Sequence, residues 1–439
     1  MKKFLFFFLS AVFLFSVAVE NAGAAKLSEE KLAKKKEGYY VTGLPLINYT
    51  SDDGLGYGAR VYLYNNGNKG DEYYDETPYF MALYAQFYMT TTGKMYHELN
   101  LDNYNVLGTK YRVKAFFAYD YDQNANFFGV GSITTERKLF DSSFNTYDTY
   151  ADYFDEFLDA GNKENYKYNK YQIAKPTFNL DFFGPIANNI NFILGVQVMY
   201  ADIKTWQGKD FKIKGDEYTQ LNPTLFDILD PTGADGGWTN NFRVGIAYDT
   251  RDFEPDPTKG TNIDYSFVIS PKAMGSEEYY NRSTVGARYW LTPVKDLTFV
   301  GRVAYTNAFG DIPFYEAPYF WFPFKRQHGL GANRTLRGYK KYRFVGETMT
   351  CANAEARFKF WEVAGGGQRF VFKVAVYGDI GNAYDDWDEP FSDPRWDDYK
   401  YSYGAALVIA WNQATIVHFA YSMSPEDSAI SIDFDHAIY

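Results

Sequence analysis

Residues 331–347, GANRTLRGYKKYRFVGE, gather five cations, Arg334, Arg337, Lys340, Lys341 and Arg343, within ten positions of a chain whose formal charge is −11. Guanidinium and ammonium groups at this density hold anions: phosphates, nucleic acid, or the protein's own carboxylates. Other chemistry is sparse. The four histidines, His97, His328, His418 and His436, form no H-x-x-x-H pair of the kind that holds a metal. No Ser/His/Asp or Ser/His/Asn set is evident, so enzyme activity is not expected. Acid runs such as DEYYDE (71–76), DDWDEP (385–390) and RWDDY (395–399) lack the D-x-D-x-D-G spacing of a calcium loop and read as solvated loop faces. The expected cofactor and metal content is none.

The elements that must position the basic stretch are strands. Residues 1–24 carry two lysines, an apolar run from Phe4 to Val19 and the small residues Ala22-Gly23-Ala24, the layout of a secretory signal. Residues 25–38 are then a short periplasmic segment. A single cysteine, Cys351, excludes an internal disulfide framework, and no later run of eighteen apolar residues could form a membrane helix. Yet aromatic residues make up 20% of the chain, mostly Tyr and Phe, which favour strands and lipid–water interfaces. An acidic, exported chain of this kind is not expected to bind nucleic acid.

Several stretches alternate with period two. Phe242, Val244, Ile246 and Tyr248 oppose Arg243 and Asp249; Phe299, Val303 and Tyr305 oppose Thr298 and Arg302. Ala352, Ala354, Ala356 and Phe358 oppose Asn353, Glu355, Arg357 and Lys359; Val374 and Val376 oppose Lys373, Tyr377 and Asp379. Charged residues on the second face exclude a packed sandwich and fit a barrel with an apolar exterior and a polar lumen. Sixteen such segments begin near residues 39, 55, 77, 93, 109, 166, 188, 238, 259, 277, 295, 347, 368, 401, 415 and 429. The long connections, 122–165, 205–237, 308–346 and 382–400, are all odd-numbered, whereas most even-numbered ones are short, as in NVLG (105–108) and NQA (412–414). Short turns at one end and long loops at the other are the layout of an outer-membrane barrel. The predicted fold is therefore all-β, a sixteen-stranded antiparallel transmembrane barrel over 39–439.

The basic stretch resembles the sixth external loop of the bacterial surface antigen superfamily, which contains BamA, TamA and the two-partner secretion transporters. The tetrad is Leu336-Arg337-Gly338-Tyr339. VYGDIGNAYDD (376–386) resembles the aromatic-x-x-D-x-G motif of strand thirteen, with its acid at Asp379 and its glycine at Gly381. NAEARFKF (353–360) is similar to strand twelve, with its inward glutamate at Glu355. YDTRDFEPDPTKG (248–260) resembles the turn between strands eight and nine. FDHAIY (434–439) resembles the closing strand, where G-H-A-F is usual; here Asp435 replaces the glycine and Tyr439 ends the chain.

The resemblance implies a long sixth loop folded into the lumen, with Arg337 latched to Glu355 and Asp379. It implies work at a weak seam between the first strand, where Pro45 suits an edge, and the closing strand with Phe434, His436 and Tyr439. The function expected is assistance to insertion or translocation of protein, or lipid, at or across the outer membrane; a passive pore or structural barrel is the alternative. The partners expected are the outer-membrane bilayer, unfolded outer-membrane protein clients and the cell's own barrel-assembly machinery. The family members named carry periplasmic POTRA domains before the barrel, and the sequence given shows none, so a POTRA-less member is expected.

Overall fold

The computed structural model describes residues 35–158, 162–323, 326–365, 368–411 and 415–438. The signal-like segment, most of the 25–38 segment and Tyr439 lie outside the described residues. Period-two alternation becomes strand throughout: β1 (Tyr39–Thr50), β2 (Gly54–Asn65), β3 (Met81–Thr90), β4 (Met95–Asn103), β5 (Arg112–Asn126), β6 (Lys170–Ala187), β7 (Ile190–Thr205) and β8 (Gly237–Asp249). These are followed by β9 (Gly260–Ser270), β10 (Tyr280–Val294), β11 (Leu297–Gly310), β12 (Thr348–Gly365), β13 (Gln368–Tyr384), β14 (Lys400–Trp411), β15 (Thr415–Met423) and β16 (Ser428–Phe434). Each strand pairs with its sequence neighbours and β16 returns to β1, closing an antiparallel barrel of sixteen strands. No described helix is long and apolar enough to cross a membrane; the strands make the outer wall.

The alternation sorts side chains as charge requires. Phe242, Ile246, Phe299, Val303, Val374 and Val376 point outward and are exposed, while Arg243, Arg302, Arg357 and Asp379 point inward and are buried. The register of β12 with β13 shifts between Lys359 and Trp361. This bulge lets Phe360 and Trp361 both face outward at the short-turn end, where Trp361 stacks on Phe372 at 4.8 Å.

The long connections lie at the opposite end of the barrel. Those at 127–169 and 206–236 close over it through an aromatic cluster that includes Phe127, Tyr153, Tyr171, Phe226 and Phe314. The 311–347 connection instead enters the barrel. Leu330, Leu336, Tyr339 and Phe344 pack there against Met349 and Cys351 of β12. Arg282 of β10 holds this loop by its backbone, donating to the carbonyls of Glu316 (2.8 Å), Ala317 (3.0 Å) and Tyr319 (2.8 Å).

Candidate functional site

β12 and β13 present Glu355 and Asp379 to the lumen on adjacent strands, with Asn353 opposite Asp379 in the ladder. Arg337 comes down between them. Its Nε and Nη2 donate to the two oxygens of Asp379 at 2.9 and 2.7 Å, and its Nη1 donates to Glu355 Oε1 at 2.6 Å. The guanidinium carbon lies 3.6 Å from the centre of the Tyr377 ring. Asn353 and Ser402 also donate to Asp379, and Arg357 donates to the second oxygen of Glu355 at 2.8 Å. The carboxylates are thus satisfied from several sides, the condition under which a buried charge pair is tolerated. A planar guanidinium suits this bidentate geometry and an ammonium does not.

The rest of the tetrad positions that arginine. Leu336 is fully buried and Tyr339 packs edge-on against Phe344 at 4.9 Å. Gly338 has φ +113°, and an added Cβ would sit 2.9 Å from the carbonyl carbon of Met423. Only glycine permits both the left-handed backbone and this approach to β15. A Cβ on Gly381 would meet Leu330 of the loop at 2.7 Å, so this glycine makes room for the loop rather than for a turn.

The other cations of the loop hold the closing hairpin. Lys340 pairs with Asp427 at 3.1 Å and Arg343 with Glu426 at 2.8 Å, both in the β15–β16 turn. Arg334 reaches Asp433 of β16 at 3.2 Å and donates to the carbonyls of Phe434 (2.8 Å) and His436 (2.9 Å). Lys341 donates its backbone N–H to Asp52 in the β1–β2 turn at 2.9 Å. The basic loop therefore binds the chain's own acids. Sequence reasoning found Arg337, Glu355 and Asp379 but missed Asp52, Glu426, Asp427 and Asp433. These sit in short turns or at a strand end, 83 or more positions from the loop residue each one meets, and no periodicity links them to it.

The seam is sparsely paired. β1 and β16 share two residue pairs, Tyr49 with Ile432 and Thr50 with Ser431, whereas β1 pairs with β2 along all of Tyr39–Thr50. Pro45 lies in the part of β1 that has no ladder partner on the seam side among the described residues. The closing strand is shorter than the resemblance implies: it ends at Phe434, and residues 435–438 turn into the lumen. Asp435 takes φ +65°, the conformation that glycine favours and aspartate tolerates, at the position where the family has glycine. His436 is consequently not a seam residue. Its Nε2–H donates to Asp256 Oδ1 at 2.8 Å, which leaves Nδ1 to accept from His418 Nε2 at 2.9 Å. Arg357 donates to the Ile438 carbonyl at 3.1 Å, and the Ile438 side chain is buried with Trp290 and Val300.

Asp256 belongs to the turn between β8 and β9 and also pairs with Lys373 at 2.6 Å. Burial would raise its carboxyl, but the His436 hydrogen bond and Lys373 hold it well below the usual carboxylate range. Burial and the Arg357 cation push the His436 imidazole down to about 4, with Asp256 acting the other way. His436 is therefore neutral in the folded tail at neutral pH.

A cavity of about 700 Å³ occupies the lumen on the seam side, reached by Asn48 of β1, Arg60 of β2, Lys94 of the β3–β4 turn, Asp120 of β5, and Ile430 and Phe434 of β16. Among the described residues no group of three His, Cys, Asp or Glu side chains could hold a metal ion.

A sixteen-strand barrel with a loop latched inside it and a weakly closed seam is a defined class of architecture. The Omp85 superfamily domain model matches residues 105–430. The chain belongs to the Omp85 superfamily. A second model, described as a domain of unknown function (DUF5982), matches residues 20–80. No curated protein matches. Among solved structures, BamA from Haemophilus ducreyi lacking POTRA domains 1–3 aligns with a TM-score of 0.53 at 12% identity, covering 91% of this chain and 70% of that one. CdiB from Escherichia coli aligns with a TM-score of 0.50 at 10% identity, covering 90% of this chain and 63% of that one. The chain thus spans less than two thirds of that CdiB. At these identities the likeness establishes the fold.

Proposed function

We propose that this barrel spans the outer membrane and assists insertion or translocation of protein, or lipid, at the β1–β16 seam. The observation that carries this reading is the two-pair seam: among the described residues, Tyr39–Asn48 of β1 have no ladder partner on the seam side, and such an edge is a template to which another strand adds. The lumen cavity borders that same edge through Asn48 and Ile430, which gives an incoming segment a polar space behind the strand.

A passive pore is the second reading. The packed 311–347 loop argues against it, because aromatic and aliphatic side chains fill the lumen beside β12 and leave the cavity confined to one side. A folding assay separates the two. The mature chain is reconstituted in liposomes, a urea-unfolded outer-membrane protein is added, and its protease-protected fraction is followed against empty vesicles and an unrelated sixteen-stranded porin. Acceleration above both controls is expected. Solute flux without acceleration would favour the pore.

A further inference from the structure

The connection between β13 and β14, residues 385–399, does not cover the mouth of the barrel as those at 127–169 and 206–236 do. It lies on the outer wall. Phe391 packs on Tyr305 with ring centres 5.8 Å apart, and the Tyr305 hydroxyl donates to the Trp387 carbonyl at 2.8 Å. Tyr305 continues the outward row of β11 that begins with Phe299 and Val303. The inner side of the connection is tied down: Arg395 pairs with Glu136 at 2.7 Å, and Asp385 accepts the Ser132 N–H at 2.7 Å. Its solvent side mixes aromatic side chains with acids: Asp385, Asp386, Asp388, Asp393 and Asp397 are exposed there, and so are three rings. Trp387, Phe391 and Trp396 are 52%, 56% and 55% exposed.

The height of this patch on the wall identifies its partner. Tyr305 is level with Thr350 of β12, and Phe358 of β12 begins the outward aromatic group with Phe360 and Trp361 at the other end. Eight residues of strand at about 3.4 Å each, tilted by roughly 40°, rise about 20 Å. The apolar band of such a barrel is about 25 Å tall and is bounded by aromatic girdles at both interfaces. The patch therefore sits where the outer leaflet passes from acyl chain to headgroup. Indole and phenyl rings favour that zone, and the acids interleaved with them, such as Asp386, Asp388 and Asp397, can remain in headgroup water.

We propose that residues 385–399 form a lipid anchor: Trp387, Phe391 and Trp396 insert into the outer-leaflet interface beside β11–β13 and extend the membrane contact of the barrel beyond its strands. This rests on the membrane-spanning reading above, and the test separates the two. Phe391→Cys and, as a strand control, Val374→Cys are labelled with an environment-sensitive fluorophore in the folded chain, where Cys351 is buried and stays unlabelled. Each is placed in vesicles with and without brominated phospholipid and titrated with aqueous iodide. The anchor predicts blue-shifted emission at both positions, loss of emission to brominated lipid, and protection from iodide. Quenching of the position 391 label by iodide alone, with the position 374 label still quenched by lipid, overturns the anchor and makes the patch a surface for a soluble partner. Failure of lipid quenching at both positions overturns the membrane reading as well. A Trp387→Ala/Trp396→Ala variant gives an independent check: the lipid-quenchable part of the tryptophan emission should fall, and an unchanged part contradicts the anchor.

Discussion

At the scale of single residues the decisive contact is Arg337 with Glu355 and Asp379. Removing one member of a buried, hydrogen-bonded charge set costs about 3–5 kcal/mol, because the remaining charges stay buried without their partner. Arg337→Ala should therefore lower the urea midpoint of the detergent-folded barrel and expose the 311–347 loop to protease, while the strands still form. Arg337→Lys should rescue little, since an ammonium cannot bond both oxygens of Asp379 and also reach Glu355. A heat-unfolding gel shift identical to that of the unmodified chain would contradict the latch. Gly338→Ala tests the neighbouring position. A left-handed backbone and a Cβ at 2.9 Å from Met423 should cost about 1–3 kcal/mol, read in the same unfolding experiment.

The latch was legible in the sequence for a definite reason. Strand alternation alone places Glu355 and Asp379 inward, and the tetrad, a weak signal by itself, gains its force from its order and spacing relative to the D-x-G motif and the C-terminus. The salt bridges to Asp427, Glu426 and Asp433 were not legible, because pairing between a loop and a distant turn leaves no periodicity. The inward turn of the tail was hidden for a similar reason. Asp435 can continue a strand or take positive φ, and the choice is made by Arg334 and Arg357 waiting in the lumen for carbonyls of the tail.

At the scale of elements, the tail and the closing hairpin behave as a clasp on the seam. The tail is held by His436, which faces Asp256, His418 and the cations Arg357 and Lys373. Its folded pKa of about 4 lies below the ordinary value of 6.5, so the unfolded tail takes up a proton first on acidification. This contribution to stability is full above about pH 6.5 and is lost as the pH falls toward 4. Asp256, also depressed, acts in the same direction at lower pH, as the pH falls below its ordinary value of 3.8. The denaturant midpoint should drop between pH 6.5 and 4.5, and His436→Gln should flatten that drop. An equal slope in both chains would remove His436 from the account.

Strand boundaries show how far periodicity reaches. The starts of β1, β13 and β15 fall where alternation predicts, at 39, 368 and 415, whereas β3 and β6 begin four residues late, at Met81 and Lys170. In both cases the preceding aromatic residues, YF at 79–80 and YKYN at 166–169, alternate in type but pack into turns or the external cap, where clustering and not pleating uses them. Alternation reports a two-faced strand; it cannot tell an aromatic strand from an aromatic cap.

At the scale of the whole molecule, a firmly latched wall at β12–β13 is joined to a loosely zipped one at β1–β16. On the proposed function, stability and opening belong to separate parts of the circumference, and the 311–347 loop connects them through Arg337 on one side and Arg334, Lys340 and Arg343 on the other. The sequence pattern reaches the barrel, its strand count and its parity of loops, because those follow from alternation and connection length. It reaches the seam only through Pro45 and the resemblance, since the two-pair closure is a matter of how few pairs form between two strands that both alternate well.

Closing that seam covalently tests the central claim most directly. Tyr49→Cys/Ile432→Cys places a disulfide at a directly opposed pair of β1 and β16. The measurement is the rate at which an unfolded outer-membrane protein becomes protease-protected in liposomes carrying this variant, oxidised and then reduced. The account predicts loss of acceleration when the bond is formed and its return on reduction. Equal acceleration in both states would contradict work at the seam.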